Sequence, residues 1–165
     1  MDAGSLYPTR NDLPDKVRRG SVDLLNQQLA DALDLTLQAK QAHWNVKGPN
    51  FIALHELFDD VVEELFEHVD DLAERAVALG GAALGTARIA ARVSRLAEYP
   101  LDIGSGHEHM VALSAAIASF GASARAGIDT ANALGDADTA DLFTEISRGV
   151  DKLLWKVEAH AQAKD

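Results

Sequence analysis

The sequence predicts an all-α fold, a bundle of four long helices, and two observations carry that prediction. Apolar residues recur at helical spacing through four long stretches separated by breaker residues. Alanine is abundant, and the four prolines, Pro8, Pro14, Pro49 and Pro100, fall where one stretch gives way to the next, as expected of a residue that breaks helix interiors. At 165 residues the chain is long enough for one domain with a sizeable core and too short for two ordinary ones.

Residues 1–20 set Arg10, Lys16, Arg18 and Arg19 against Asp2, Asp12 and Asp15 with little apolar periodicity, which predicts a mobile tail ahead of a domain over residues 21–163. The first helix is expected from about Ser21 to Asn45, with Leu24, Leu25, Leu29, Leu33, Leu35 and Leu37 inward. Gly48-Pro49 stops it, and Asn50 is placed to cap the next. The second helix, residues 50–79, turns Phe51, Leu54, Leu57, Phe58, Val61, Val62, Leu65, Val69, Leu72 and Val77 inward and ends at Gly80-Gly81. A long crossover follows, holding a short extra helix between Ala87 and Leu96 and closing at Tyr99-Pro100. A third long helix from near Ser105 to near Gly135 buries Met110, Leu113, Ile117, Phe120 and Ile128. The fourth follows Asp136 or Asp138 and buries Leu142, Phe143, Ile146, Val150, Leu153, Leu154 and Val157, with Trp155 also expected in the core. Four long helices with one long crossover between the second and third match the ferritin-like kind of bundle.

Charge and composition narrow the function. A net charge of -11 argues against a protein held to nucleic acid by its overall field and suits one that handles cations. The absence of cysteine removes disulfides, thiolate zinc sites, iron–sulfur clusters and thiol nucleophiles together. No run approaches the roughly 20 apolar residues of a membrane span, and the opening MDAGSLYPTRNDLPDK lacks the apolar core of a signal peptide. A cytoplasmic protein with no membrane partner is expected.

The second helix carries the chemistry. Its polar side holds Glu56, Asp59, Asp60, Glu63, Glu64, Glu67, Asp70, Asp71 and Glu74, and no Lys or Arg lies between Lys47 and Arg75. Like charges three or four residues apart cost a few tenths of a kcal/mol per pair, so such a face recruits something positive, first of all a metal cation. Carboxylates with imidazole suit iron, manganese or zinc. Bundle-core sites usually use Glu-x-x-His pairs, and none of the six histidines is preceded by Glu at that spacing. His55 and Asp59 share one helix face, as do Asp70 and Glu74. The two pairs are centred roughly 22 Å apart at ~1.5 Å per residue, too far to meet around one ion within a chain. Two such helices packed antiparallel about a two-fold axis near Glu64 and Leu65 bring each His55/Asp59 pair to the partner's Asp70/Glu74 pair, and His43 can complete each site. Spacing alone leaves open a merely solvated acidic face. His68, His107, His109 and His160 read as surface or satisfied histidines.

The string LTLQAKQAHWNVKGPNFIALHELFDDVVEELFEHVDDLAERAVALGGAALGT closely resembles the signature of the Dps family, the mini-ferritins named for DNA protection during starvation. The likeness continues through Tyr99-Pro100-Leu101-Asp102-Ile103 and DTADLFTEISRGVDKLLWKVEAH. It implies a hollow dodecameric shell and a ferroxidase centre at a two-fold subunit interface, with His43, His55 and Asp59 from one chain and Asp70 and Glu74 from the other. By the same resemblance Glu56 and Asp60 nucleate ferric mineral, and Asp136, Asp141 and Glu145 line acidic pores that admit Fe(II). Acids at a helix start also serve as caps, which is a second role open to Asp136. The implied reaction is oxidation of Fe(II) by hydrogen peroxide, with dioxygen slower, and one iron position is expected to bind tightly and another weakly. Zinc or manganese can substitute for iron. Trp44, beside His43, is expected to pack near the metal or to anchor the core. Direct DNA binding is expected to be weak, because the tail is mixed in sign where a Lys-rich tail is needed to overcome an acidic shell. The alternative function is a non-enzymatic DNA-compacting shell whose metal site only stabilises the dimer.

Overall fold

The computed structural model describes residues 6–162, in which five helices and no named strand are present. They are α1 (Asp15–Asn45), α2 (Phe51–Ala78), α3 (Ala87–Val93), α4 (Gly106–Leu134) and α5 (Ala137–Gln162). Helices α1 and α2 form one antiparallel hairpin and α4 and α5 the other, with α1 against α4, α2 against α5, and α3 lying on α1. The core runs the length of the bundle through Leu25, Leu35, Phe58, Leu65, Leu72, Ile117, Phe120 and Phe143, each fully buried. Full burial of one such side chain contributes about 1.5–3 kcal/mol, so this apolar stripe supplies most of the force that holds the helices.

The helix ends follow from the local sequence. Ser105 and Glu108 close a reciprocal capping box at the start of α4, the Ser105 side chain accepting from the Glu108 amide and the Glu108 carboxylate accepting from the Ser105 amide. Gly135, at φ 88°, adopts the left-handed conformation that ends α4. Asn50 precedes α2 without making a side-chain cap bond. Gly48, at φ 117°, turns the chain between α1 and α2. The Lys47 amide donates to the Gly104 carbonyl at 2.9 Å, fastening that turn to the start of α4.

Three features differ from the sequence reading. First, α1 begins at Asp15 rather than Ser21, and the stretch expected to be a mobile tail is docked from Tyr7 onward. The Tyr7 amide donates to the Gly80 carbonyl at 2.7 Å, and the buried Arg18 guanidinium donates to the carbonyls of Leu79 at 2.9 Å and Leu13 at 3.2 Å. Leu79 and Gly80 lie just past the end of α2, where carbonyls lack helical partners, and this segment satisfies both; residues 1–5 lie outside the described residues. Second, Leu37, Val77 and Trp155 are 56%, 55% and 63% exposed, not core, and Phe51 and Trp44 are also exposed. Periodicity finds apolar faces, and these residues sit on faces that the single chain leaves open. Third, α4 is long and apolar enough by composition to cross a membrane. In this fold it packs against α1 and α5.

Candidate metal site

His43 lies in the last turn of α1 and His55 in the second turn of α2, on either side of the turn over residues 46–50. The hairpin sets the two imidazoles face to face, with ring centroids 3.7 Å apart and planes 20° from parallel. His43 Nδ1 lies 2.7 Å from the His55 carbonyl, and His55 Nδ1 lies 2.9 Å from the His43 carbonyl. A carbonyl only accepts, so each Nδ1 carries a proton and Nε2 is the ring nitrogen that a metal ion would take. Holding the remote nitrogen on a backbone carbonyl is how proteins orient imidazole for metal ligation. Phe51 covers His55 at 5.0 Å between ring centroids.

Asp59 lies one turn beyond His55 on α2 and is paired with Lys40. The hydrogen bond from the Lys40 ammonium, opposed by slight desolvation and aided by the nearby His43 and His55, holds its carboxyl below the usual carboxylate range. Lys40 lies on α1 one turn before His43 and was not singled out from the sequence. It neutralises Asp59 where a cation ligand is expected, so an arriving cation must displace it.

Asp70 and Glu74 lie farther along α2 and are exposed. Among the described residues no three His, Asp or Glu side chains of this chain converge closely enough to hold an ion. The structure stacks His43 on His55 with Asp59 one turn along α2, short of a three-ligand cluster within the chain, and leaves Asp70 and Glu74 apart, as the rise of the helix requires. Glu56 and Asp60 are exposed on α2, one turn apart, and Asp141 and Glu145 are exposed on α5, one turn apart.

Asp136 has a different setting from these acids. It is 1% exposed and ion-paired with Arg75 at 2.7 Å, accepting also from the Thr139 amide at 3.1 Å and hydroxyl at 2.6 Å. Burial pushes its pKa up, but the hydrogen bonds from Thr139 and the Arg75 charge outweigh it and leave the carboxyl below the ordinary range. Asp136 is therefore the cap of α5 and the anchor of the residue next to Glu74.

The remaining histidines divide. His107 and His160 are exposed as expected. His109 is buried, with Nδ1 2.9 Å from the Tyr99 hydroxyl and Nε2 without a partner; burial lowers its pKa and raises that of the Tyr99 phenol. His68 is 8% exposed and its Nε2 is also unpartnered, so it is neither a surface nor a satisfied histidine.

Comparison with known proteins agrees with this architecture. Residues 22–164 match the family described as Ferritin-like domain. The DNA protection during starvation protein of Agrobacterium fabrum is 45% identical over 158 residues, covering 96% of this chain and 98% of the relative. Among solved structures, DpsC from Streptomyces coelicolor superposes with a TM-score of 0.94 at 27% identity, covering 100% of this chain and 96% of that one. Dps from Microbacterium arborescens in the high iron form superposes at 0.84 with 33% identity, covering 91% and 97%. The hairpin that crosses two imidazoles, the ferritin-like bundle around it and full-length likeness to these proteins lead to one conclusion: the chain belongs to the Dps family of ferritin-like proteins.

Proposed function

We propose that two chains, packed with their α2 helices antiparallel near Glu64 and Leu65, complete two equivalent ferroxidase centres. Each takes His43, His55 and Asp59 from one protomer and Asp70 and Glu74 from its partner. The observation that carries this reading is the crossed pair of imidazole–carbonyl hydrogen bonds, which leaves both Nε2 atoms for a metal ion, with the Asp59 carboxylate one turn along α2. Within one chain Asp70 and Glu74 lie too far along α2 to join His43, His55 and Asp59, so a partner has to bring them.

Fe(II) is the substrate. Neutral imidazole accepts the ferrous ion and hard carboxylate oxygens favour the ferric one, so the mixed set promotes oxidation. Two Fe(II) ions give up one electron each, hydrogen peroxide takes both together with two protons, its O–O bond breaks, and two waters leave. Paired electron removal frees no hydroxyl radical. Dioxygen serves as a slower oxidant, and zinc or manganese occupies the same ligands as a substitute. The ferric product is hard and readily hydrolysed and collects on Glu56 and Asp60 inside a dodecameric shell, reached past Asp141 and Glu145. Lys40 makes the position beside Asp59 the weaker of the two iron positions. Iron storage and protection of DNA from oxidative damage are then one cytoplasmic activity, with at most weak direct contact to DNA. The name of the A. fabrum relative and the high iron form of the M. arborescens protein support this reading.

The test is the rate of Fe(II) oxidation by hydrogen peroxide in wild type and in His43→Ala with His55→Ala. A loss of about tenfold or more with the shell intact is expected. Equal rates would sink the proposal and favour the non-enzymatic DNA-compacting shell with a structural metal site.

A further inference from the structure

We propose that Gly106, the first residue of α4, is a positioning residue for the metal site: its missing side chain lets α4 wedge into the base of the α1–α2 hairpin and so sets how His43 and His55 face each other. This rests on the ferroxidase reading of those two histidines and adds to it a residue that touches neither.

Nothing in the backbone calls for glycine here. Gly106 does not take a positive φ, unlike Gly48, Gly80 and Gly135, and ordinary helix formers are favoured over glycine in a helix. Its surroundings do call for it. A Cβ at Gly106 would overlap Leu54 Cδ1, with Leu54 Cγ at 3.9 Å and Val46 Cγ2 at 4.0 Å. Leu54 and Val46 are each 2% exposed, so both sit in a close-packed core with little space to yield into. They also adjoin the ligands along the chain. Leu54 immediately precedes His55 in α2, and Val46 comes three residues after His43 at the end of α1. One missing methyl group therefore borders both arms of the hairpin that carries the imidazoles.

The wedge itself is held still. Lys47, in the turn between the two histidines, donates its amide to the Gly104 carbonyl at 2.9 Å and pairs with Ser105 as an isolated parallel bridge. The Glu108 carboxylate accepts from the amides of Ser105 at 2.9 Å and Gly104 at 3.3 Å, and from the Ser105 hydroxyl at 2.7 Å. Residues 104–108 thus form one locked unit, pinned to the hairpin turn on either side of Gly106. The route from there to the ligands is short. Each imidazole donates to the main-chain carbonyl of the other histidine, so a shift of α2 at Leu54 or of α1 at Val46 moves a carbonyl and the ring it orients. Groups that orient ligands without touching the metal change its affinity by about 10–100-fold when altered.

Co(II), whose visible absorption reports its ligand geometry, is the probe, titrated into the full-length protein and its variants with the shell mass checked for each. Gly106→Ala is expected to weaken Co(II) binding about tenfold and to alter the absorption. Leu54→Val, which opens the gap from the other side, is expected to weaken it about two- to threefold. The double variant is expected to return to within about twofold of wild type, since the added methyl takes the space of the one removed. Even if Gly106→Ala alone does not assemble, adding it to Leu54→Val must tighten binding. A glycine with a merely structural role lowers Tm and leaves Co(II) affinity and absorption unchanged; that result, or additive losses in the double variant, would overturn the inference. His43→Ala with His55→Ala separates the two claims. If that control binds Co(II) like wild type, the ferroxidase reading falls and takes the inference with it; if it loses binding while Gly106→Ala matches wild type, the inference falls alone.

Discussion

Replacing Arg75 with alanine removes the counter-charge of a carboxylate that has almost no contact with water. Asp136 is 1% exposed and the Arg75 side chain 18% exposed, with 2.7 Å between them. Breaking a buried pair by deleting one partner costs about 3–5 kcal/mol, since the remaining charge stays desolvated. Asp136 keeps the amide and hydroxyl of Thr139, which places the expected loss at the low end, about 3 kcal/mol. At roughly 2–4 °C per kcal/mol for a chain of this size, Tm falls by about 6–12 °C. The pH dependence has a definite sign. In the wild type the Asp136 pKa is depressed on folding, so its contribution is present above the unfolded carboxylate value near ~3.9 and is lost as pH falls through the lower folded value. Without Arg75, burial is less opposed and the folded pKa rises. The stability deficit of the variant is therefore full at neutral pH and narrows on acidification, as its Asp136 takes up a proton first. Calorimetry at fixed chain concentration over a pH series measures both features. A deficit below about 1 kcal/mol, the range of surface pairs, or a deficit that does not change with pH, would refute the argument. Asp138→Asn is the control, because that carboxylate is exposed and lies 3.8 Å from the same guanidinium.

Two further outcomes follow from the same kind of reasoning. Lys40→Met frees Asp59 from its ammonium partner; the pair is partly exposed, so its loss returns up to about 1 kcal/mol, and metal binding beside Asp59 should tighten by up to about fivefold in competition titrations. No tightening would show that Lys40 does not compete with the cation. Tyr99→Phe strips His109 of its remaining ring partner in a buried position. That costs about 1–3 kcal/mol in urea unfolding, and an unchanged midpoint would count against the hydrogen bond.

The helices and the spacing of the candidate ligands were legible because both depend on short-range spacing. His55 and Asp59 share a face at four residues, and the separation of the two ligand pairs follows from the helix rise alone. The His43–His55 contact needed the hairpin geometry, and the crossed carbonyl bonds could not be inferred from residue types. Arg18 was read as part of a tail because a cation in a stretch without periodicity gives no sign that it will bind the carbonyl of Leu79, a partner from the far end of α2. Asp136 carried two roles in the sequence, and its burial against Arg75, which no spacing announces, shows the capping one. Leu37, Val77 and Trp155 fit an apolar pattern that cannot distinguish the core of one chain from a face left open by it. His68 reads in the sequence as a surface or satisfied histidine because spacing does not show that its Nε2 is buried without a partner.

The two imidazoles of His43 and His55 spend their donors on each other's main chain, so their arrangement is written in backbone geometry and not in the identity of surrounding side chains. The segment from His43 to Asp59 is in that sense a portable part. Another antiparallel helix pair joined by the same turn would place two carbonyls at the same offset, and with histidines at the matching positions it would present the same pair of open nitrogens, whatever protein surrounded it.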